Sequence, residues 1–188
     1  MRIHKLLVAG ALLPFGALAQ DLDYTFVELS YLDTELDAGP IDLGGDGFGL
    51  TGSLSVTDSV FLFADYQTQD YELGVDGSSY DLGAGMRFGL KPQVDLVGEL
   101  AWVNYEVETA LGDAEDDGLG VGLGLRGRVQ DSFELQGGVR YVDLEDSDTF
   151  LSLAGRWYFT STVAAGFGLS FNDDIAGWNL GLRAEFGN

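Results

Sequence analysis

Hydrophobic residues alternate with polar or very small residues along almost the whole chain after its amino-terminal stretch. This two-residue period is the pattern of β-strands whose two faces meet different surroundings. No later segment shows the 3.6-residue apolar period of a helix, and the 28 glycines weaken helices wherever they lie. The pattern therefore predicts an all-β protein.

Ten segments carry the alternation, and each is long enough to form a strand. Their apolar positions fall on one phase throughout. The predicted strands cover residues 25–31, 48–56, 60–66, 80–88, 94–102, 119–129, 133–141, 151–159, 163–171 and 178–186. An eight-stranded arrangement stays open as the alternative count.

The opposite phase of these strands is polar or very small. In the sixth segment it holds three successive alternating glycines and then Arg126 and Arg128. Its charged members are Glu28, Asp65, Asp81, Arg87, Glu99, Arg126, Arg128, Glu134, Arg140, Arg156, Arg183 and Glu185. Such charges would destabilise the core of a soluble barrel, whereas they are compatible with a polar lumen if the apolar phase faces lipid. A secreted soluble barrel with the arginines outward stays the rival fold.

The connections between the segments alternate in length. Short turns surround Asp58, Pro92, Asp131 and Ser161, and between them lie the longer loops DTELDAGPIDLGGD, YELGVDGSS, EVETALGDAEDDG, VDLEDSDT and NDDIAG. Outer-membrane barrels have this asymmetry, with the short turns in the periplasm. Both termini then lie on the short-turn side, which requires an even number of strands.

Aromatic residues cluster at both ends of the apolar phase, as expected of the interfacial girdles of a membrane barrel. About nine residues separate the two ends of the last segment, close to the roughly 9–11 of a tilted membrane strand. The prediction is a closed antiparallel up-and-down transmembrane β-barrel of ten strands. Its girdle residues are Tyr31, Tyr66, Trp102, Tyr141 and Trp178 near the long loops, and Phe88, Trp157, Phe159 and Phe186 near the short turns.

The amino terminus has the features of a cleaved signal peptide: a basic MRIHK, an apolar LLVAGALL and a small-residue site at residues 17–19. Residues 1–19 are therefore predicted to direct export through the inner membrane, and residues 20–188 to form the barrel domain. Losing Arg2 and Lys5 changes the formal net charge from −22 to −24, which disfavours nucleic acid as a partner. The chain has no cysteine and hence no disulfide.

Three stretches, YTFVELSYLD, VTDSVFLFADYQ and GWNLGLRAEF, resemble the small outer-membrane β-barrel proteins of Gram-negative bacteria, the superfamily of OmpA-like and OmpX-like barrels. Within it, the chain looks most like the ten-stranded group named for a supposed activator of plant immunity. The resemblance implies location in the cell outer membrane, contact with outer-membrane lipid and lipopolysaccharide, and insertion by the barrel-assembly machinery. That machinery recognises a terminal aromatic residue, whereas here Phe186 is followed by Gly187 and Asn188.

The candidate catalytic chemistry is limited. Small barrels that act as enzymes use a histidine as general base, and the single histidine, His4, lies in the predicted signal peptide. An all-carboxylate mechanism is a distant alternative, because no pair of carboxylates stands out. We therefore expect a monomer that is not an enzyme and has no cofactor.

The long loops are strongly acidic. One of them places three carboxylates and a glycine at positions one, three, five and six of a calcium-binding loop, but its twelfth position is Gly124, within a predicted strand, so it is not an EF-hand. Merely solvated loops are one interpretation. The other is weak divalent-cation binding at Asp113, Glu115, Asp116 and Asp117.

The charged lumen is compatible with two functions. Paired charges can fill a narrow barrel as a rigid plug, or they can form a constriction that selects ions. Glycines in the fourth and sixth segments leave room for arginines to lie across the lumen, which favours the plug. The predicted function is a non-enzymatic outer-membrane barrel with a plugged lumen and acidic extracellular loops, acting in envelope integrity or surface interaction. A narrow passive diffusion pore for small solutes or ions is the alternative.

Overall fold

Every predicted alternating segment forms a β-strand. The structure, a computed structural model, describes residues 22–37, 42–110, 112–145 and 147–187, so the predicted signal peptide lies outside the described residues. In the described part of the chain, no helix is long and apolar enough to cross a membrane. The strands are β1 Phe26–Asp37, β2 Asp42–Ser55, β3 Val60–Tyr71, β4 Val75–Lys91, β5 Val94–Thr109, β6 Gly112–Gln130, β7 Phe133–Asp143, β8 Ser147–Tyr158, β9 Val163–Phe171 and β10 Ile175–Glu185.

The ten strands close into one barrel. Each pairs antiparallel with its neighbours in the chain, and β10 pairs with β1, from Phe26 opposite Glu185 to Leu36 opposite Ile175. Closure gives every strand two partners and leaves no exposed edge. The predicted fold class and the strand number of ten are confirmed.

The apolar phase forms the outer surface. Leu123 and Leu182 are 55% and 60% exposed on the outside, whereas Arg126 and Arg128 face inward and are 3% and 2% exposed. A soluble barrel would need the reverse arrangement. An apolar exterior around a charged interior is instead the distribution of a transmembrane barrel.

The predicted girdle residues lie on this outer surface, either exposed or partly exposed. Near the long-loop end, the Tyr31 ring packs between the rings of Phe48 and Trp178, with centroid distances of 5.9 Å to each. Farther round the barrel, Tyr80 packs on Trp102 at 5.3 Å. The aromatic residues therefore contact one another across strands in two groups, and their role as an interfacial girdle stays a prediction.

The predicted long loops are largely strand rather than loop. Much of each predicted loop belongs to strands that continue past the girdle, so that β4, β5 and β6 have 17, 16 and 19 residues. Between β3 and β4 only a 3-10 turn, Glu72–Gly74, breaks the pairing. The two ends of the barrel thus differ in how far the strands project, because the alternating pattern of backbone pairing persists even where the side chains are acidic.

Inward-facing glycines accommodate large side chains of neighbouring strands. A Cβ added to Gly120 of β6 would lie 2.7 Å from a guanidinium nitrogen of Arg140, so this glycine does leave room for an arginine. A Cβ added to Gly85 of β4 would instead collide with the Phe61 ring. The expectation that the β4 glycines make room for arginines is therefore wrong: they make room for aromatic rings.

Candidate functional site

Seven charged side chains meet inside the short-turn half of the barrel. Their cross-strand register explains the meeting, because Glu134 of β7 lies opposite both Arg128 of β6 and Arg156 of β8, and Glu28 of β1 lies opposite Arg183 of β10. Direct cross-strand neighbours of opposite charge attract each other. We call the group the lumen ion cluster: Glu28, Arg126, Arg128, Glu134, Arg156, Arg183 and Glu185.

Glu134 is the centre of the lumen ion cluster and is fully buried. Arg126 donates two parallel hydrogen bonds to its carboxylate, from Nε at 2.9 Å and from Nη2 at 3.0 Å. Arg156 Nη1 donates at 3.1 Å and the Tyr158 hydroxyl at 3.0 Å. Charge-assisted bonds of this kind are about twice as strong as neutral ones, so Glu134 joins β6, β7 and β8 through the lumen.

The other two carboxylates extend the cluster across the barrel. Glu28 accepts hydrogen bonds from Arg183 Nε at 2.6 Å and from Arg156 Nε at 3.1 Å. The Tyr158 hydroxyl, whose single proton is shared between Glu134 and Glu185, lies 2.5 Å from Glu185, and Arg126 Nη2 donates to Glu185 at 3.3 Å. The contacts therefore run without a break from β6 to β1, and they brace opposite walls of the barrel.

Aromatic rings cover the arginines that have fewer carboxylate contacts. The Arg183 guanidinium lies 3.6 Å from the Phe26 ring centroid, and that of Arg128 lies 4.1 Å from the Tyr158 centroid. Arg128 reaches the carboxylates only at 3.8 Å and 3.9 Å. Cation–π contacts compensate part of the lost hydration of such buried cations.

An N-terminal strap, residues 22–25, crosses the lumen beside this cluster. Arg126 Nη1 donates to the backbone oxygen of Asp23 at 2.7 Å, and Arg87 Nη1 donates to that of Leu22 at 3.0 Å. The Tyr24 hydroxyl donates to Asp95 at 3.1 Å. Because these partners are on β4, β5 and β6, on the far side of the barrel from β1, the strap spans the short-turn opening.

Sequence reasoning missed the strap and its partner Asp95. A signal was present: the inward phase of β1 continues backward through Phe26, Tyr24 and Leu22, where apolar residues replace the polar ones expected of a lumen. All three are buried. Arg87, predicted as part of the charge network, instead binds the strap and lies 3.8 Å from Asp95.

The remaining predicted lumen charges form a separate group nearer the long-loop end. Arg140 pairs with Asp81 at 2.6 Å. Asp65 lies directly opposite Asp81 and accepts hydrogen bonds from the Thr51 hydroxyl and from Gln67. Among the residues that the structure describes, none donates a hydrogen bond to Glu99, and Arg140 is the cation whose charge acts on it. This upper group therefore has three carboxylates and one arginine.

A cavity of about 630 Å³ occupies the lumen above the lumen ion cluster. Its walls carry the upper group of charges together with the rings of Phe61, Phe63 and Phe150. At the long-loop end, Leu36 lies directly between Leu43 and Ile175 on the inner face, and all three line the cavity. The lumen is thus an upward-reaching pocket with a charged floor and partly apolar walls.

On the outer face, carboxylates follow immediately after the girdle. The indole nitrogen of Trp102 donates to Asp117 at 3.3 Å, and the Tyr141 hydroxyl donates to Asp143 at 3.2 Å. These carboxylates include a carboxylate row, in which each member is the direct cross-strand neighbour of the next. The row begins near Tyr31 and ends on the projecting β5–β6 hairpin. Its members are Asp33, Asp46, Asp70, Asp76, Glu108 and Asp113.

The four carboxylates of the predicted divalent site do not converge. Strand alternation puts Asp116 on the opposite face of β6 from the other three, and it accepts a hydrogen bond from the Glu145 backbone at 3.0 Å. Glu115 accepts one from Asn104 at 2.8 Å. Within the described ranges, no three His, Cys, Asp or Glu side chains are placed to hold a metal ion. Weak divalent binding at Asp113, Glu115, Asp116 and Asp117 stays a prediction.

No protein-family model and no curated protein matches this chain. Similar solved structures include a KdgM porin in complex with disordered oligogalacturonate, with 7% identity, a TM-score of 0.49, and coverage of 86% of this chain and 99% of that one. Ail, the attachment invasion locus protein of Yersinia pestis, has 16% identity, a TM-score of 0.46, and coverage of 86% and 97%. The N-terminal β-barrel domain of Pseudomonas aeruginosa OprF has 17% identity, a TM-score of 0.44, and coverage of 86% and 99%.

These similarities concern the barrel fold at low sequence identity. The strand pairing and apolar exterior of this chain itself define it as a barrel of the outer-membrane type, and the predicted resemblance is confirmed at the level of the fold. The ten-stranded subgroup named from the sequence is not distinguished by these matches.

Proposed function

We propose that this protein is a non-enzymatic integral barrel of the outer membrane whose lumen is closed at the periplasmic end, and that it serves envelope integrity through contacts of its acidic outer face. The lumen ion cluster is the observation that carries the proposal. Its four arginines and three glutamates are nearly all buried and join opposite walls, which is the arrangement of a plug rather than of a hydrated constriction.

The strap supports closure independently of the cluster. Its backbone oxygens are held by two arginines from the far wall, and Ser53 donates to the Tyr24 oxygen at 2.7 Å. Asp23 also accepts a hydrogen bond at 2.7 Å from the backbone of Gly187, which follows β10 in the chain. An ion entering from the periplasm would have to displace both the strap and the lumen ion cluster.

The outer face supports contact with lipopolysaccharide. Short turns of such barrels lie in the periplasm, so the carboxylates beside Trp102 and Tyr141 lie at the level of the outer headgroups. Carboxylates at this level would repel lipid phosphates unless divalent cations lay between them. Divalent cations shared between the barrel and lipopolysaccharide would relieve both that repulsion and the repulsion between neighbouring carboxylates of the row.

Planar-bilayer recording tests the closed lumen. We expect the wild-type barrel to give no steady conductance and Arg126→Ala, which removes ligands of both Glu134 and the strap, to give discrete single-channel steps. Arg140→Ala, with the same loss of charge in the upper lumen, is the matched control and should stay silent. Heat-modifiable gel migration establishes that each variant is folded. Steady wild-type conductance whose step size changes in Arg126→Ala would make the passive pore the correct function.

Fractionation tests the location. We expect the protein in the outer membrane, with a folded band that migrates differently from the heated one. Recovery from the soluble periplasm without such a shift would contradict the proposal.

A further inference from the structure

We propose that the cavity above the lumen ion cluster binds a small amphipathic organic cation that enters from the long-loop end. The proposal rests on the closed lower end only for the direction of entry. The charge, shape and apolar walls of the cavity itself carry the binding.

The charge of the upper lumen favours a cation. Asp65, Asp81 and Glu99 face one arginine, Arg140, whose closest contact is with Asp81 at 2.6 Å. Asp65 lies directly opposite Asp81, although like charges in this position repel each other. Its hydrogen bonds come from neutral groups, the Thr51 hydroxyl and the Gln67 amide. Arg140 is therefore the one cation of the upper group for three carboxylates, and the group carries a formal charge of −2.

The lumen ion cluster does not supply a second cation to this group. Its arginines are committed to its own glutamates, to the strap and to aromatic rings, and Arg126, Arg156 and Arg183 are 3%, 8% and 5% exposed. They form the floor of the cavity, but little of their surface is open to a ligand. The half-buried carboxylates of Asp65 and Glu99 are the more accessible charges.

The apolar walls require an apolar ligand body. Phe63 lies on the inward phase of β3 and Phe150 on that of β8, and both are partly exposed to a lumen where a water-filled channel would need polar side chains. Leu36, between Leu43 and Ile175, adds an apolar rim at the mouth. Apolar surface facing water is unfavourable, and a ligand that covers it would gain roughly 25 cal/mol for each Å² removed from water. Aromatic faces also attract cations.

Size and access agree with this ligand class. A volume of about 630 Å³ lies within the roughly 300–1,000 Å³ of typical small-molecule sites. The projecting ends of the strands carry the carboxylate row, whose negative potential would raise the local concentration of cations and lower that of anions. The site would therefore discriminate by charge between molecules that have the same apolar body.

Three naphthalene derivatives test this discrimination: naphthylmethyl-trimethylammonium, naphthylmethanol and naphthalene sulfonate. Their binding is measured by fluorescence anisotropy on the folded barrel in nanodiscs of zwitterionic phosphatidylcholine, with empty nanodiscs as background. We expect saturable binding of the cation, weaker binding of the alcohol and none of the sulfonate. Equal binding of all three, or none at all, would overturn the proposal.

Charge-removing variants locate the site. Glu99→Gln and Asp65→Asn should each weaken binding of the cation about tenfold, since each removes one negative charge from a partly buried wall. Asp70→Asn, with the same change on the outer face, is the matched control and should change affinity less than about twofold because its charge is screened by solvent. An equal loss in Asp70→Asn and Glu99→Gln would assign the attraction to the outer surface and refute the cavity site.

A filling variant tests the cavity without changing its charge. Ser79 lines the cavity, and Ser79→Phe should abolish binding while the barrel keeps its heat-modifiable migration. Retained binding in folded Ser79→Phe would refute the site. The conductance experiment is independent of these binding measurements. A barrel that conducts ions but still binds the cation in preference to the sulfonate refutes only the closed lumen. A barrel that does not conduct and shows no such preference refutes only the cavity site.

Discussion

Replacing Glu134 with glutamine should destabilise the barrel more than any comparable change at its surface. Glu134 is fully buried and accepts hydrogen bonds from Arg126, Arg156 and Tyr158. The substitution keeps the size of the side chain but removes its charge. It also directs an amide that donates hydrogen bonds toward groups that are themselves donors.

The magnitude follows from the charge balance of the lumen ion cluster. The wild-type cluster holds four arginines and three glutamates, and the variant leaves two glutamates for the same four arginines. Removing one partner of a buried ion pair destabilises a protein by about 3–5 kcal/mol, because the remaining charge stays buried without compensation. We expect a loss in this range, since both Arg126 and Arg156 lose their contact with Glu134.

The assay is equilibrium unfolding of the barrel in lipid vesicles by guanidinium, followed by tryptophan fluorescence and by heat-modifiable migration. Glu145→Gln, the same substitution at an exposed position, is the control and should change the free energy of unfolding by less than about 0.5 kcal/mol. A loss below about 1 kcal/mol in Glu134→Gln would show that water or rearranged arginines replace the carboxylate. The interpretation of the cluster as a tightly packed plug would then be refuted.

Three further changes have expected outcomes of their own. Gly85→Val should destabilise the barrel by about 1–3 kcal/mol in the same assay because its side chain collides with the Phe61 ring. In a Phe61→Ala background the same change should cost much less, and an equal cost in both backgrounds would contradict the contact. Burial raises the pKa of Tyr24 above its ordinary 10.0, so above about pH 10 this tyrosine ionises in the unfolded chain but not in the folded strap. The stability of the wild type should therefore fall more steeply with rising pH than that of Tyr24→Phe. Parallel pH profiles of the two proteins would contradict this. Asp46 lies between two other carboxylates of the row, and Asp46→Asn removes the repulsion with each. In chelator the variant should be more stable by roughly 0.2–1 kcal/mol for each repulsive pair removed, and Mg²⁺ should stabilise it less than the wild type, as measured by thermal gel shifts. An unchanged effect of Mg²⁺ would contradict cation binding there.

The strands and their two faces could be predicted because they depend on neighbouring residues. Successive side chains of a strand point to opposite sides, so Leu123 and Arg126 are assigned to different surfaces by their positions in the chain. Register across short turns is also local, which places Glu134 opposite Arg128. The predicted segments ended too early at the long-loop end because the alternation of apolar and polar residues stops there, whereas backbone pairing continues through the acidic residues that follow.

The contents of the lumen depended on contacts that are distant in the chain. Arg156 meets Glu28 across 128 positions, and Arg126 meets the strap at Asp23 across 103 positions. The pattern of residues along one strand does not indicate which inward side chains of distant strands lie at the same level along the barrel axis. The separation of Asp65, Asp81 and Glu99 from the lumen ion cluster was therefore not predictable from their phase alone.

The sequence by itself determined an alternating chain with one apolar face, an even number of strands and aromatic residues at both ends of the apolar face. These features follow from a two-residue period and from turn positions, both of which are properties of short segments. Only the tertiary structure decided that the strap and seven charges meet at one end of the lumen, while other carboxylates and aromatic rings line a cavity above them. Barrel closure fixes the stagger between strands, and that stagger determines which inward side chains meet.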